Sequence, residues 1–443
     1  MAAKQMHLGV LLLAAGNVVA GWRLPEAEAG SQNFPLIKQA AEKAEQAKLD
    51  FIFLADGLNS FPGMHPAMVL RYEPLTLLGA LIMCTKHIGL GVTASTTYTE
   101  PYNLARMLAS LDHLSGGRMA WNIVTGAFPQ AAANFGTRPH PPQDERYLIA
   151  EEFVEVCKGL WDSWEEDSLV MDKSSGKFVD ATKMHELNHH GKYYDVKGPL
   201  NITRPPQGYP VFMQAGASDT GVSFAAKYAE IVFCVHQNMD TAAAFATRLR
   251  GETTKFGRDP SHMKILPGMC PIVGSTEAEA KAKVTELGAL TDPDYAMKVT
   301  SERMGHDLSG LPLDGPVPEL PPSNIMQGHA ITLAETARLR KWTVRDLRDF
   351  VGLSMGHKLM VGTPEQIADE MEEWFKAGTG DGFNILPPYF PGGLDLFADH
   401  VVPILQKRGL FRTEYTGNTM RDLLGIPRPE HPAHKQGSKA SVA

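Results

Sequence analysis

The sequence predicts an α/β fold, a (β/α)8 TIM barrel with insertions after strands four and seven. Three observations carry this. Eight short apolar runs are each followed by a stretch with helical apolar spacing, the alternation of a parallel barrel. The runs are continuous rather than alternating, as strands buried on both faces require. No internal repeat or linker divides the 443 residues into two domains. Residues 1–411 therefore read as one domain with insertions at about 127–208 and 291–329, and residues 412–443 read as a C-terminal arm that is polar and loose.

In order, residues 7–13 are the first strand. The rival is a short signal peptide, since Lys4 precedes the apolar run and Val18-Val19-Ala20 resembles a cleavage site. The run is too short for a membrane span, and the barrel count needs the strand. Helical spacing over 34–48 leads to strand two at 51–55, with Asp56 at its end. A long loop and a helix around 75–84 precede strand three, 88–96. There STTY ends the strand, and Pro101 opens a helix whose fixed φ and missing N–H suit a first turn. Gly116-Gly117 closes it, and strand four is 119–124. A long amphipathic helix, 144–164, and a polar hairpin-like excursion, 177–196, come next. Strands five, six and seven are 209–216, 230–235 and 264–274. Helices are expected at 221–228, 242–256 and 277–287. The stretch 291–323, with Pro312, Pro316, Pro318, Pro321 and Pro322, reads as a mobile lid without regular structure. Helices resume from Ala330, and Thr363-Pro364 opens one that runs to Ala377. Strand eight is 382–387, and the closing helix is 394–407.

Hydrophobic residues make up 43% and charged residues 21%, with a net charge of −8. This is ordinary for a globular protein, and the scattered basic residues give no nucleic-acid footprint. Cys84, Cys157, Cys234 and Cys270 are far apart with no CxxC, which fits reduced thiols and a cytoplasmic setting.

In a parallel barrel, ligands sit at the carboxyl ends of the strands. That places Asp56, Ser95, Thr96, Asn122, Thr125, Gln214, Ser218 and His236 around one cavity. They are mostly neutral hydrogen-bonding groups. No HExxH, carboxylate pair or Ser/His/Asp set accompanies them, which suits a large planar cofactor better than a metal or a hydrolytic site. QAGASDTG, at Gly216 and Ser218, precedes a helix and can cradle a phosphate. The structural alternatives are a turn cap at Asp56, strand-end polar groups at Ser95 and Thr96, and core packing at Tyr147. His185, His189 and His190 lie in the polar excursion and are not read as a metal site.

STTYTEPYNLARMLASLDHLSGGRMAWNIVT, DERYLIAEEFVEVCKGLWDSW and QAGASDTGVSFAAKYAE resemble the nitrilotriacetate, dibenzothiophene-sulfone and long-chain alkane monooxygenase group of bacterial-luciferase-like flavin enzymes. GHDLSGLPLDGPVPELP, VGTPEQIADEM and VVPILQKRGLFR extend the resemblance from about residue 7 to 425. It implies the oxygenase component of a two-component, FMNH2-dependent monooxygenase. A separate NAD(P)H:flavin reductase supplies reduced FMN, and O2 is trapped as a flavin peroxide that oxygenates a small organic substrate. The absence of GxGxxG agrees. A homodimer or homotetramer is expected, with no metal, nucleic-acid or membrane partner.

By position, Asp56 is expected by the flavin ring and Ser95 and Thr96 by the ring or ribityl chain. Tyr147, Gly216 and Ser218 are expected at the phosphate end, and Gln143 in the flavin site. His236 and Asn122 are the candidate catalytic residues, with a hydrogen-bonded structural role as the alternative for His236. Relatives read HDERY where Gln143 stands here with His140 nearby, and some carry Cys or His where this chain has Ala14, Ala15 and Asn17. The substrate class stays open among a xenobiotic, a sulfur compound, an aminopolycarboxylate and an alkyl or aromatic compound. Arg23 and Arg71 would meet an anion, and the loop 61–70 would line an apolar pocket. The rival functions are a deazaflavin- or flavin-dependent dehydrogenase on the same barrel and a non-catalytic flavin-binding protein.

Overall fold

The computed structural model describes residues 4–434 apart from residues 14, 29, 31, 127, 137, 138, 217 and 322–326. The departure at Ala14 and the lid residues Pro322 and Ser323 lie outside the described residues. The strands are β1 (His7–Leu11), β2 (Phe51–Leu54), β3 (Gly89–Ser95), β4 (Met119–Val124), β5 (His189–His190), β6 (Asp195–Val196), β7 (Val211–Gln214), β8 (Ile231–Cys234), β9 (Lys264–Val273), β10 (Lys358–Gly362) and β11 (Gly382–Ile385). Eight of them close a parallel barrel in the order β1-β2-β3-β4-β7-β8-β9-β11, and β11 pairs back onto β1. The first strand is thus a central element, flanked by β2 and β11.

Two apolar layers follow from the strand period of two. Trp121, Ile123, Phe383 and Ile385 face outward into the core shared with the helices. Phe51, Phe53, Ala120, Val211, Met213, Ile231 and Leu266 fill the barrel lumen. Large rings fit there because small residues face them. A Cβ on Gly91 would stand 3.0 Å from the sulfur of Met213, and one on Gly9 would enter the ring of Phe51. The helix Pro101–Ser115 begins on its proline and ends at Gly116, whose left-handed φ of 69° suits a residue without Cβ.

The structure corrects the expected plan in three places. β10 was not foreseen. It pairs with the outer half of β9 (Lys358↔Met269 to Gly362↔Val273), beyond the point where β9 leaves β8. The stretch after β9 is not irregular: Pro293–Met304 is a helix, capped by Asp292 onto Tyr295 N–H at 2.8 Å. It packs with Val344–Ser354 around Leu308, Leu333, Leu347 and Val351 as a separate small core. Leu308 is fully buried there, so this part is packed structure rather than a loose lid.

The third correction is the tail. Residues 412–434 are not a loose arm, and residues beyond 434 lie outside the described set. Met420 and Leu424 of the short helix Met420–Leu424 plug the amino end of the lumen. Arg421 pairs with Glu230 at 2.6 Å. Arg412 reaches the fully buried Asp50 at 2.5 Å, where His7 Nδ1 lies 2.8 Å from the same carboxylate. The tail looked polar because the residues that anchor it are arginines pairing with buried acids.

The excursion after β4 contains the antiparallel pair β5–β6 and a bridge between Leu169 and Val179. His185, His189 and His190 are each bonded to a different carboxylate, of Glu165, Glu152 and Asp195. The cysteines are free; Cys157, Cys234 and Cys270 are buried, while Cys84 is partly exposed. Among the described residues, no helix is long and apolar enough to cross a membrane.

Candidate functional site

One set of polar groups gathers at the carboxyl ends of β3, β4 and β7. Gln143, at the start of the helix Gln143–Trp161, donates from Nε2 to Ser218 Oγ at 3.3 Å. Ser218 caps the helix Asp219–Tyr228, its Oγ accepting from Gly221 N–H at 3.1 Å. Gln214 Oε1 accepts from Gly216 N–H at 2.6 Å. Gly216 and Gly221 keep this corner open. A Cβ on either would stand 2.9 Å from the Tyr147 hydroxyl. Burial pushes the Tyr147 phenol up, so the group stays a neutral donor. Gln143, Tyr147, Gly216 and Ser218 therefore meet at one point, on the N-terminus of a ten-residue helix.

Beside it, Arg146 is buried and donates to the carbonyls of Thr125, at 3.3 Å, and Gly126. The Tyr98 hydroxyl lies 2.5 Å from His140 Nδ1, and the Tyr98 ring stacks on Phe135. Arg146 Nε and His140 Nε2 are buried without a partner among the described residues. This corner fits FMN. Two glycines keep room for a phosphate, hydroxyl and amide donors surround it, a helix N-terminus faces it, and two nitrogen atoms beside it lack partners.

Ser95 and Asn122 face the lumen, as their register with Val124, Thr93 and Met213 shows. Asn122 Nδ2 donates to Thr93 Oγ1 at 3.0 Å. Thr96 does not join them. It is buried with its hydroxyl donating to the Val124 carbonyl at 3.4 Å, because strand alternation turns it away from Ser95. Asp56 stands at the end of β2 beside Arg71, and burial raises its carboxyl. His236 follows β8 and packs on Phe245 of the helix Met239–Lys255, 5.1 Å between rings. Burial lowers its imidazole to about 4. Arg23 is exposed and donates to the Leu290 carbonyl, so it is a surface contact and not an anion receptor at the mouth.

A cavity of about 720 Å3 opens beside the mouth. Phe61 and Phe128 form one wall, and Met297, Lys298, Glu302 and Arg348 line the other. None of the nine candidate residues lines it. Its walls are latched together: Lys298 Nζ donates to the Pro62 carbonyl at 2.7 Å, and the Tyr295 hydroxyl donates to the Met64 carbonyl.

The sequence profile described as luciferase-like monooxygenase matches residues 13–381. The chain belongs to the luciferase-like monooxygenase family. It is 47% identical over 430 residues to an N-acetyl-S-(2-succino)cysteine monooxygenase of Bacillus subtilis (strain 168), covering 96% of this chain and 98% of that one. It is 43% identical over 449 aligned positions to component A of the nitrilotriacetate monooxygenase of Aminobacter aminovorans, covering 98% and 99%. A riboflavin lyase solved with a modified FMN and riboflavin superposes with a TM-score of 0.87 at 33% identity, covering 98% of this chain and 99% of that one.

This luciferase-like monooxygenase has a second polar group that sequence reasoning missed. His65, Arg303 and His357 are buried at the mouth, and His329 is partly exposed beside His357. Asn384 is buried on β11. No motif joins these five residues. Asn384 alone carried a signal, as an amide inside the apolar strand GFNI. Tyr98 and Arg146 sat inside quoted motifs, STTY and DERY, but were passed over for their neighbours.

Proposed function

We propose that this chain is the oxygenase component of a two-component flavin-dependent monooxygenase. It takes reduced FMN from a separate NAD(P)H:flavin reductase and inserts one oxygen atom of O2 into a small organic acid. The observation that carries the reading is the corner where Gln143, Tyr147, Gly216 and Ser218 meet. Bound there, reduced FMN supplies the electrons that activate O2. The protein's own part is binding, orientation and exclusion of water. Ser218, Gln143 and Tyr147 donate to the phosphate end, and Gly216 and Gly221 let it approach the backbone. Ser95 and Asn122 offer hydrogen bonds from the lumen to the ring. The buried phenol of Tyr147 remains protonated, so it donates rather than repels.

The named substrates of the two relatives, a succinylated cysteine thioether and nitrilotriacetate, are polycarboxylates built around one sulfur or nitrogen atom. We assign this chain the same class. The cavity lined by Phe61, Phe128 and Met297 is the route by which such a molecule reaches the mouth. A homodimer or homotetramer is the working form in this reading.

The test is a reaction with a generic flavin reductase, NADH, FMN and either substrate under 18O2. One labelled oxygen atom in the product, dependent on this chain, is expected. Consumption of reduced FMN yielding only H2O2 with both acids and with a neutral thioether refutes the oxygenase reading. Oxygen-independent oxidation of the substrate with an oxidised deazaflavin as hydride acceptor supports the dehydrogenase instead.

A further inference from the structure

The barrel mouth has two polar poles. The first, described above, stands on β3, β4 and β7. The second stands across the lumen, since β9 and β11 lie four places round the closed barrel from β3 and β4. Its floor is Asn384, on the lumen face of β11, in register with Gly9 of β1 and Gly268 of β9. Both oxygen and nitrogen of the Asn384 amide are buried without a partner among the described residues. A buried amide unpaired at both ends is uncommon in a folded chain.

Over Gly268 sits His357. A Cβ on Gly268 would stand 2.5 Å from His357 Nδ1, so that nitrogen occupies the space above the strand next to Asn384. The His357 ring stacks on Phe233 at 5.3 Å, and His329 meets it edge-on at 5.2 Å and 87°. Nδ1 of each imidazole is buried and unpaired among the described residues.

These rings are fixed in place. Asn17 donates to the Ser354 carbonyl at 3.1 Å and Gln237 to the Gly356 carbonyl at 2.7 Å. Thr332, on the helix that carries His329, donates to the Val235 carbonyl at 3.2 Å. Three side chains at the mouth thus pin the segments bearing two imidazoles whose Nδ1 atoms have no partner among the described residues.

The electrostatics select the ligand's sign. The charged groups acting here are cationic. Arg303, from the helix Pro293–Met304, faces both imidazoles and also His65, and Arg71 from the loop after β2 faces His65. Glu302 is the acid nearest Arg303, and burial raises its carboxyl. Among the described residues, no acid acts on His329 or His357. Burial first, and Arg303 second, lower His357 to about 3, so the imidazole is neutral at working pH and able to donate one hydrogen bond. A neutral donor, an amide donor and a nearby guanidinium suit an oxyanion.

We infer that His357 and Asn384, with His329 at their side, form the subsite that holds one carboxylate of the substrate opposite the flavin phosphate pole. This rests on the oxygenase reading and names where its acid substrate is gripped. His357 and Asn384 are specificity-determining residues. They anchor the end of the molecule remote from the atom that is oxygenated.

The experiment is equilibrium binding by calorimetry to the full chain without flavin. The probes are N-acetyl-S-(2-succino)cysteine, nitrilotriacetate and their trimethyl esters. The variants are His357→Phe, which keeps a ring against Phe233, and Asn384→Leu, which keeps the volume of the side chain. At least one triacid is expected to bind at least tenfold more tightly than its ester. Each folded variant is expected to bind that acid at least tenfold more weakly and the ester unchanged. In the coupled assay KM for the acid rises at least tenfold while kcat stays within threefold, a split that general loosening of the fold does not produce. If one variant does not fold, the other decides. Equal binding of acid and ester, no binding of either acid, or wild-type affinity in the variants overturns the subsite. Tight acid binding without any oxygenated product leaves the subsite standing and refutes the oxygenase reading instead.

Discussion

Adding one methyl group at Gly216 separates the phosphate corner from the rest of the barrel. In Gly216→Ala the new carbon would stand 2.4 Å from Gln214 Nε2, 2.9 Å from the Tyr147 hydroxyl and 3.1 Å from Gly221 Cα. The first two are side-chain ends and can yield, whereas the third is backbone. Gln214 gives up its bond to the residue 216 N–H, about 1 kcal/mol, and overpacking adds about 1–2 kcal/mol. In a chain of this length that lowers Tm by a few degrees. The phosphate loses more, because the methyl occupies the space it needs and displaces Tyr147. One lost charge-assisted hydrogen bond is about 1.5–3 kcal/mol, and about 2.7 kcal/mol is a hundredfold in Kd. The assay is anaerobic titration with reduced FMN beside reduced riboflavin, which lacks the phosphate. FMN should bind about a hundredfold more weakly and riboflavin within about threefold of wild type, by the same arithmetic. Equal losses for both flavins, or none for FMN, refute the phosphate corner.

Three other outcomes follow from the packing. Arg412→Met leaves Asp50 buried without its guanidinium, and urea melts at pH 7 should show a loss of about 3–5 kcal/mol. In the wild type, burial pushes the Asp50 carboxyl up, but Arg412 and His7 outweigh it and hold it below its ordinary value. A carboxyl lowered on folding stabilises fully above its unfolded pKa of about 3.9 and loses that contribution as pH falls through the folded value. The wild type should therefore hold its stability down to about pH 4, while the variant's deficit shrinks on acidification; a deficit constant from pH 7 to pH 4 contradicts this. Met420→Ala empties the plug at the amino end of the lumen and should destabilise by about 2–5 kcal/mol in thermal melts, with turnover at low temperature unchanged. Tyr295→Phe combined with Lys298→Met releases the latch onto Met64 and Pro62, and should raise the ratio of H2O2 to product several-fold with little change in Tm; an unchanged ratio makes these contacts structural only.

The barrel was legible because its signals are local. Continuous apolar runs ending in polar residues, Pro101 at a helix start and Gly116 at its end can be read within a few residues. β10 was hidden because KLMVG is five residues long and wedged between two helices, with no alternation to mark it. The tail was misread because burial of Arg412 and Arg421 depends on Asp50 and Glu230, 362 and 191 residues away. At the site, the residues of the proposed phosphate corner could be picked out where QAGAS and DERY are compact motifs, and the structure brings them together. Thr96 was grouped with Ser95 although strand alternation turns the two to opposite faces. His357 and Asn384 become a pair only through the register of β9 with β11, which no spacing in the chain encodes.

β9 changes neighbours midway. Its first residues close the barrel against β8, Gly268 and Met269 meet β11, and its outer half carries β10. The groups at the phosphate corner come from residues 95 to 221 and those of the opposite pole mostly from residues after 233. On the proposed reading, the chain thus writes its cofactor grip and most of its substrate grip in consecutive passages. An exchange of sequence at the junction before β8 would carry Arg303, His329, His357 and Asn384 together and leave Asn17 and His65 behind. On that reading, a change in the later passage would alter the substrate while the earlier passage stays as it is.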